Sequence, residues 1–260
     1  MLILPPLPPR VIPCLLLYEE AFVKTKKFKN PTYIGDPVNT INLFNKFEVD
    51  EIMVLDISCI RKQTRPNFQL IEEIASECWV PLTYGGGIQS VEEANKILNS
   101  GVEKILVESI IFSNPQEVRK CVSEFGSSSV VGCLNIAENI FGRYELRTQG
   151  NHKKAPLSLD ATIALLDEIK VGEIVINHIS RDGTHKGYDI NLIHNITTKL
   201  NCPVVALGGA SCIKDFKKAI NAGASAVSAG SYFVFQNTSS QSVLINYPSR
   251  KEIEILFNEK

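Results

Sequence analysis

Eight short apolar runs alternate with helix-like stretches along the 260 residues, and this order predicts an α/β fold, a single (β/α)8 TIM barrel. Parallel strands joined by helices form right-handed βαβ units, and eight such units close into a barrel. No linker rich in Pro, Gly or Ser divides the chain. We therefore expect one domain over residues 1–260, built from two similar half-barrels of about 1–125 and 126–260.

The predicted strands are rich in β-branched residues and have the length of strands rather than helices. In chain order they are RVIPCLLL, EIMVLDIS, VPLTYGG, EKILVES, VVGCLNI, GEIVINHIS, CPVVALGG and ASAVSAGS. The helical patterns between them include SVEEANKILNSG, NPQEVRKCVSEFG, SLDATIALLDEIK and CIKDFKKAINAG. The lysine-rich segment VKTKKFKNP, after the first strand, is expected to be a solvated loop.

Composition narrows the classes of function. Charged residues make up 21% of the chain and the net charge is -1, so nucleic acid is not an expected partner. The apolar runs are far shorter than the roughly 20 residues of a membrane span. The proline-rich start MLILPPLPPR is unlike a signal peptide, so we expect a cytoplasmic protein. Seven cysteines without a CxxC pair indicate buried free thiols, and we expect neither a metal nor a cofactor.

The two halves of the sequence resemble each other at a constant interval. YGGGIQSVEEANKILNSGVEKILVES matches LGGASCIKDFKKAINAGASAVSAGS, so that Gly86 corresponds to Gly208 and Ser109 to Ser231, each 122 positions further on. A duplicated half-barrel is the simplest explanation of this repeat.

Glycines end the strands of both halves, where a barrel places its active site. Glycine lets backbone N–H groups approach a ligand closely, and a helix that starts just afterwards favours phosphate. The alternative is that these glycines only make tight turns between strand and helix. Because they recur with a hydroxyl at the following strand end, we expect a phosphate site in each half and a substrate with two phosphates. The predicted phosphate-binding residues are Gly86, Gly87 and Ser109 in the first half and Gly208, Gly209, Gly230 and Ser231 in the second.

The segment RDGTHKGYD adds Gly183 to the phosphate-binding candidates. Together with this segment, the predicted strands and the two glycine-rich repeats resemble the cyclase subunit of imidazole glycerol phosphate synthase from histidine biosynthesis. The resemblance covers nearly the whole chain. It implies a (β/α)8 barrel that forms a heterodimer with a glutaminase subunit. Ammonia released by that subunit would pass through the barrel to a phosphate-bearing small molecule at the opposite face.

The resemblance also implies catalytic residues, and this chain departs from them. The family has acid–base aspartates at the ends of the first and fifth strands, where this sequence has Leu16 and Asn135. Leucine exchanges no proton and asparagine cannot do so at neutral pH. Lys24 and Asp56 do match family positions, whereas Glu108 and Ser109 replace an asparagine and threonine pair at the first phosphate site.

Four charges match the family's ring at the other end of the barrel, which gates the ammonia passage. They are Arg10, Glu51, Lys104 and Glu173. Two charges of each sign can satisfy one another while they are partly buried. The alternative is a salt-bridge network that only closes the end of the barrel.

The changed mouth and the unchanged ring favour a cyclase-like paralogue that still receives ammonia and supports amination or amidation of another acceptor, phosphorylated or of sugar type. The pattern resembles paralogues associated with sugar amidation for bacterial surface polysaccharides, in which a third protein, an amidotransferase, uses the ammonia. The alternatives are a genuine cyclase that uses other residues and a non-catalytic scaffold that activates a glutaminase. The related isomerase is disfavoured because it also needs the two missing aspartates.

Overall fold

The computed structural model describes residues 8–62, 64–235 and 242–258. Its strands are β1 (Arg10–Tyr18), β2 (Ala21–Lys26), β3 (Lys29–Gly35), β4 (Ile52–Asp56), β5 (Leu82–Gly85), β6 (Lys104–Val107), β7 (Val130–Glu138), β8 (Tyr144–Thr148), β9 (Lys153–Lys154), β10 (Glu173–His178), β11 (Val204–Leu207) and β12 (Ala226–Ala229). Its helices are α1 (Pro37–Lys46), α2 (Ser58–Lys62), α3 (Phe68–Glu77), α4 (Val91–Asn99), α5 (Ile110–Ser113), α6 (Pro115–Phe125), α7 (Leu159–Ile169), α8 (Ile190–Thr197), α9 (Ile213–Asn221), α10 (Ser231–Val234) and α11 (Arg250–Asn258).

Eight of these strands are parallel and close into a barrel, in the order β1, β4, β5, β6, β7, β10, β11, β12 and back to β1. Helices separate them along the chain, so the predicted (β/α)8 barrel is confirmed. Each barrel strand coincides with one of the predicted runs, although β1 and β7 extend one and two residues beyond theirs. None of the described helices is long and apolar enough to cross a membrane.

Helices α1, α3, α4, α7 and α8 begin where the sequence supplies a side-chain cap. In α4 the Ser90 side chain accepts a hydrogen bond from the backbone N–H of Glu93, which satisfies one of the free donors at the helix start. Val91, Ala94 and Ile97 then repeat at helical spacing and are buried. The predicted pattern SVEEANKILNSG is therefore an amphipathic helix on the outside of the barrel.

Strand side chains alternate between two apolar clusters. The larger cluster lies between the barrel and its helices, and the smaller one, the interior column, fills the barrel itself. In β1, for example, Ile12 belongs to the interior column and Val11 to the outer cluster. The interior column includes Ile12, Met53, Leu106, Val131, Val175, Val205 and Ala226.

Two antiparallel hairpins extend from the barrel at the carboxyl end of its strands. Strands β2 and β3 continue from β1, and β8 and β9 continue from β7. The lysine-rich segment expected to be a solvated loop therefore forms most of the first hairpin, and Lys24 and Thr25 in it are buried. This correction has a physical cause, because Lys24 finds an acidic partner far away in sequence. All seven cysteines are free thiols, as predicted, but Cys78 and Cys202 are only partly buried and Cys212 is exposed.

Candidate active site

A cavity of about 560 Å³ opens at the carboxyl ends of the barrel strands. Its floor is the upper part of the interior column, and the two hairpins contribute to its walls. We call it the mouth. Of the predicted site residues, those that line it are Leu16, Lys24, Asp56, Gly86, Gly87, Ser109, Asn135 and Gly230. Four predicted phosphate-binding residues do not belong to the described lining, namely Gly183, Gly208, Gly209 and Ser231.

Lys24 comes from the first half-barrel but lies against residues of the second half-barrel at the mouth. It forms a buried ion pair with Asp182 there, with 2.8 Å between Nζ and Oδ1. The first hairpin packs closely on the segment after β10 at this point. A side chain at Gly183 would place its Cβ 2.7 Å from the carbonyl oxygen of Thr25. A Cβ at Gly230 would lie 3.1 Å from Cε of Lys24. The hairpin therefore holds the lysine charge beside the strand end that carries Gly230.

Asp182 was not among the residues selected from the sequence. Its position in RDGT, directly before Gly183, was the signal that could have identified it.

Gly86 and Gly209 are required by backbone packing whatever the mouth binds. Both have positive φ, and an added Cβ would lie 2.4 Å from the carbonyl oxygen of Asp56 and of Gly187, respectively. No side chain fits at that distance from backbone. The tight-turn explanation of these two glycines is therefore sufficient, and their phosphate-binding role remains a prediction.

Asp56 is buried and its carboxylate accepts three hydrogen bonds. The donors are the backbone N–H of Ser58 at 2.8 Å, the thiol of Cys59 at 3.3 Å and the hydroxyl of Tyr84 at 3.3 Å. Burial, together with the negative charge of Asp56, raises the pKa of Cys59 to about 12. The predicted catalytic residue thus also ties the start of α2 to the end of β4.

The side chains at the two replaced aspartate positions cannot act as an acid or a base. Leu16 belongs to the apolar cluster of the barrel interior. Asn135 accepts a hydrogen bond at 3.1 Å from Nδ2 of Asn177, the inward-facing residue near the end of the neighbouring strand β10. This amide pair can orient a polar ligand, but it cannot exchange protons with it.

Glu108 follows β6 and lines the mouth in the first half. Both of its carboxylate oxygens are buried and neither has a hydrogen bond. Burial raises the pKa of Glu108 to about 7. The hydroxyl of Thr148 and the backbone N–H of Gln149 lie near the carboxylate, outside good hydrogen-bond geometry, and oppose that increase only in part. In the sequence repeat, Glu108 stands where the second half has Gly230, 122 positions further on.

Charged residues meet at the amino ends of the barrel strands, below the interior column. Arg10 pairs with both Glu51 and Glu173, and Nζ of Lys104 lies 2.9 Å from the Glu51 carboxylate and 3.4 Å from that of Glu173. Burial lowers the pKa of Arg10, but attraction to the two carboxylates outweighs it, so that this pKa is raised. The structure therefore brings the four predicted ring residues together as one network, which we call the charged ring.

His178 points away from the mouth, toward α8. Its Nδ1 lies 3.3 Å from the carboxylate of Asp189, and its Nε2 lies 3.9 Å from that of Glu138. These three side chains are close enough to share a metal ion. However, Arg181 already lies 3.9 Å from Asp189 and supplies positive charge, and burial lowers the pKa of His178. The Asp189 carboxylate is therefore satisfied by Arg181 and by the hydroxyl of Tyr144, which donates to it at 2.9 Å.

The fold and its site define the class of protein. It is a closed (β/α)8 barrel with a small-molecule cavity at the carboxyl ends of its strands, where proteins of this fold carry their active sites. The family model described as "Histidine biosynthesis protein" matches residues 10–239, and the chain belongs to this family.

Individual relatives specify the similarity further. Two proteins are both described as "Putative imidazole glycerol phosphate synthase subunit". The one from Leptospira interrogans, HisF, is 42% identical over 96% of this chain and 99% of its own length. The one from Pseudomonas aeruginosa, hisF2, is 41% identical over 95% and 98%. The imidazole glycerol phosphate synthase subunit HisF of Alkaliphilus metalliredigens is 33% identical over 88% and 92%. The resemblance predicted from the sequence is therefore confirmed.

Proposed function

We propose that this barrel receives ammonia from a glutaminase at the charged ring and releases it at the mouth, where it supports amination or amidation of an acceptor that is phosphorylated or of sugar type. The single observation that carries this proposal is the order of three layers along the barrel axis. The charged ring lies at one end, the apolar interior column follows, and the mouth lies at the other end.

Each layer suits the passage of neutral ammonia. The interior column consists of apolar side chains, which would exclude ammonium because burying an unpaired charge is very unfavourable. Ammonia itself carries no net charge and is the size of water. The charged ring provides a polar entrance to this apolar path.

The residues at the mouth support an acceptor other than the usual cyclase substrate. Leu16 and Asn135 cannot perform acid–base steps, and Glu108 places a carboxyl group in the first predicted phosphate site. Beside Gly230, Lys24 is paired with Asp182 but has further N–H donors on its Nζ that can bond an anion. One anionic end of an acceptor can therefore be held there.

A partner at the charged-ring end is supported by exposed aromatic side chains. Trp79 precedes β5 and Phe47 precedes β4, so that both lie at the amino ends of the strands. The backbone N–H of Trp79 donates to Asn45 at 3.1 Å, which keeps the tryptophan next to the end of α1. Exposed aromatic residues are typical of protein interfaces.

The first test is glutamine hydrolysis by the glutaminase encoded in the same genome, measured with and without this barrel. We expect the two proteins to co-purify and the barrel to increase hydrolysis by about tenfold or more, equivalent to at least 1.4 kcal/mol of activation free energy. The matched control is the same measurement with a barrel in which the charged ring carries Arg10→Ala. No increase with the unaltered barrel, when extracts containing the acceptor are supplied, would overturn the proposal.

A second experiment distinguishes a genuine cyclase from a barrel that serves another acceptor. The barrel is supplied with ammonia and the bisphosphorylated precursor of histidine biosynthesis, and cyclase turnover is followed. We expect no turnover above background, because the two acid–base positions are inert. Robust turnover would identify a genuine cyclase that uses other residues and would refute a different acceptor.

A further inference from the structure

The mouth contains buried oxygen atoms that accept no hydrogen bond. They are both carboxylate oxygens of Glu108, Oδ1 of Asn177 and Oδ2 of Asp182. A buried acceptor left without a donor costs about 1–3 kcal/mol, and native proteins satisfy nearly all of them. These oxygen atoms are closed off from water in the free protein, so a ligand that reaches them must bring donors of its own. The mouth is therefore suited to a ligand rich in N–H or O–H groups.

The unpaired acceptors are not distributed evenly. Asp182 already holds Lys24, and Asn177 already donates to Asn135. Among the buried carboxylates of the described residues, Glu108 is the one in which neither oxygen is hydrogen bonded. The carboxyl group of Glu108 therefore has no cation beside it, whereas that of Asp182 is paired with a lysine.

The sequence repeat identifies the position at which the two halves of the mouth differ. Glu108 and Gly230 occupy corresponding strand ends, so the duplicated site has kept an open glycine in one half and has a carboxyl group in the other. A phosphate next to Glu108 would be repelled. A cationic nitrogen would be attracted, and hydrogen bonds between charged partners are about twice as strong as neutral ones.

We propose that Glu108 binds a cationic nitrogen group of the ligand, an amine or amidinium, while the Lys24 side of the mouth takes the ligand's anionic end. This inference rests on the proposed function, because it names the class of acceptor or product that the mouth would hold. Ammonium is the smallest member of the class. The ligand is accordingly an amino or amidino compound with one phosphate or carboxylate, and not a bisphosphate.

The ionisation of Glu108 supports this assignment. Its pKa of about 7 leaves the carboxyl group partly protonated at neutral pH. A cation bound beside it favours the carboxylate and lowers this pKa. Binding of an amine near pH 7 should therefore release protons, whereas a neutral sugar should not cause this release.

The experiment measures calorimetric binding to the barrel alone, near neutral pH, in two buffers of different ionisation enthalpy. The probes are glucosamine 6-phosphate, glucose 6-phosphate and fructose 1,6-bisphosphate. We expect the amine to bind about tenfold more tightly than glucose 6-phosphate, which corresponds to 1.4 kcal/mol, and to release protons. The bisphosphate should bind most weakly. In Glu108→Gln the two monophosphates should differ by no more than about twofold.

Glu138→Gln is the matched control, because it removes an exposed carboxylate at the rim of the barrel and should leave the preference unchanged. Glu108→Asp keeps the charge and should retain part of the preference if Glu108→Gln folds poorly. Equal binding of the two monophosphates to the unaltered barrel would overturn the inference. Tightest binding of the bisphosphate, or no binding of any probe, would do the same. Since no glutaminase is present, this result is independent of the test of ammonia transfer.

Discussion

Glu108 couples the stability of the barrel to pH through a single buried side chain. Its pKa is raised from 4.5 to about 7, so the folded protein keeps a proton that the unfolded chain loses at lower pH. The free energy of unfolding must then decrease as the pH rises from about 4.5 to about 7. In Glu108→Gln this part of the decrease should disappear. Urea unfolding at about pH 5 and about pH 8 measures it, with Glu138→Gln expected to keep the original slope. An unchanged slope in Glu108→Gln would contradict the assignment.

Residues with distant partners were the hardest to predict from the sequence. The ring residues could be named because a family pattern fixes them. Lys24 was named too, but its burial depends on Asp182, which lies 158 residues further along the chain. The missing hydrogen bonds of Glu108 likewise depend on the packing of the second hairpin, and no local pattern reports them.

At the scale of elements, the first hairpin is held over the mouth by a buried ion pair. Asp182→Asn would leave Lys24 buried and charged without a partner, so we expect a loss of about 3 kcal/mol in the free energy of unfolding. Glu19, just before β2, forms a comparable but exposed pair with Lys62, and Glu19→Gln should cost much less than Asp182→Asn. Denaturant unfolding gives both values, and hydrogen exchange at the Lys27 amide, which donates to the Asp182 carbonyl, reports on the hairpin itself. Equal losses in the two variants would refute this role of the ion pair.

The strands were predictable and the hairpins were not, for the same physical reason. A barrel strand is buried on both faces and therefore reads as a short continuous apolar run, such as VVAL in β11. Strand β2 carries lysines and reads as polar, although most of it is buried against its neighbours. Strands β8 and β9 have mixed burial and show no run at all. Both nine-residue strands, β1 and β7, nevertheless lead into such a hairpin at the same place in each half.

At the scale of the whole molecule, the two ends of the barrel have different chemistry. The amino ends of the strands carry the charged ring, with Trp79 exposed beside it. The carboxyl ends carry the mouth and the hairpins, and Phe141 is exposed at the turn between β7 and β8. In the proposed function, the ammonia donor faces the first end and the acceptor reaches the second. The supply of ammonia would then be kept separate from its use.

The difference between the two ends predicts which exposed aromatic residue contacts the proposed glutaminase. Trp79 is 78% exposed and Phe141 is 80% exposed, so the two substitutions remove similar amounts of accessible aromatic surface from opposite ends. Trp79→Ala should weaken the complex by about 2 kcal/mol, the loss typical of an interfacial tryptophan, and should lower glutamine hydrolysis at limiting barrel concentration. Phe141→Ala should leave both unchanged. Affinity measured by surface-immobilised glutaminase distinguishes them. A loss that follows Phe141 instead would put the glutaminase at the mouth, and ammonia would then have no reason to cross the apolar interior.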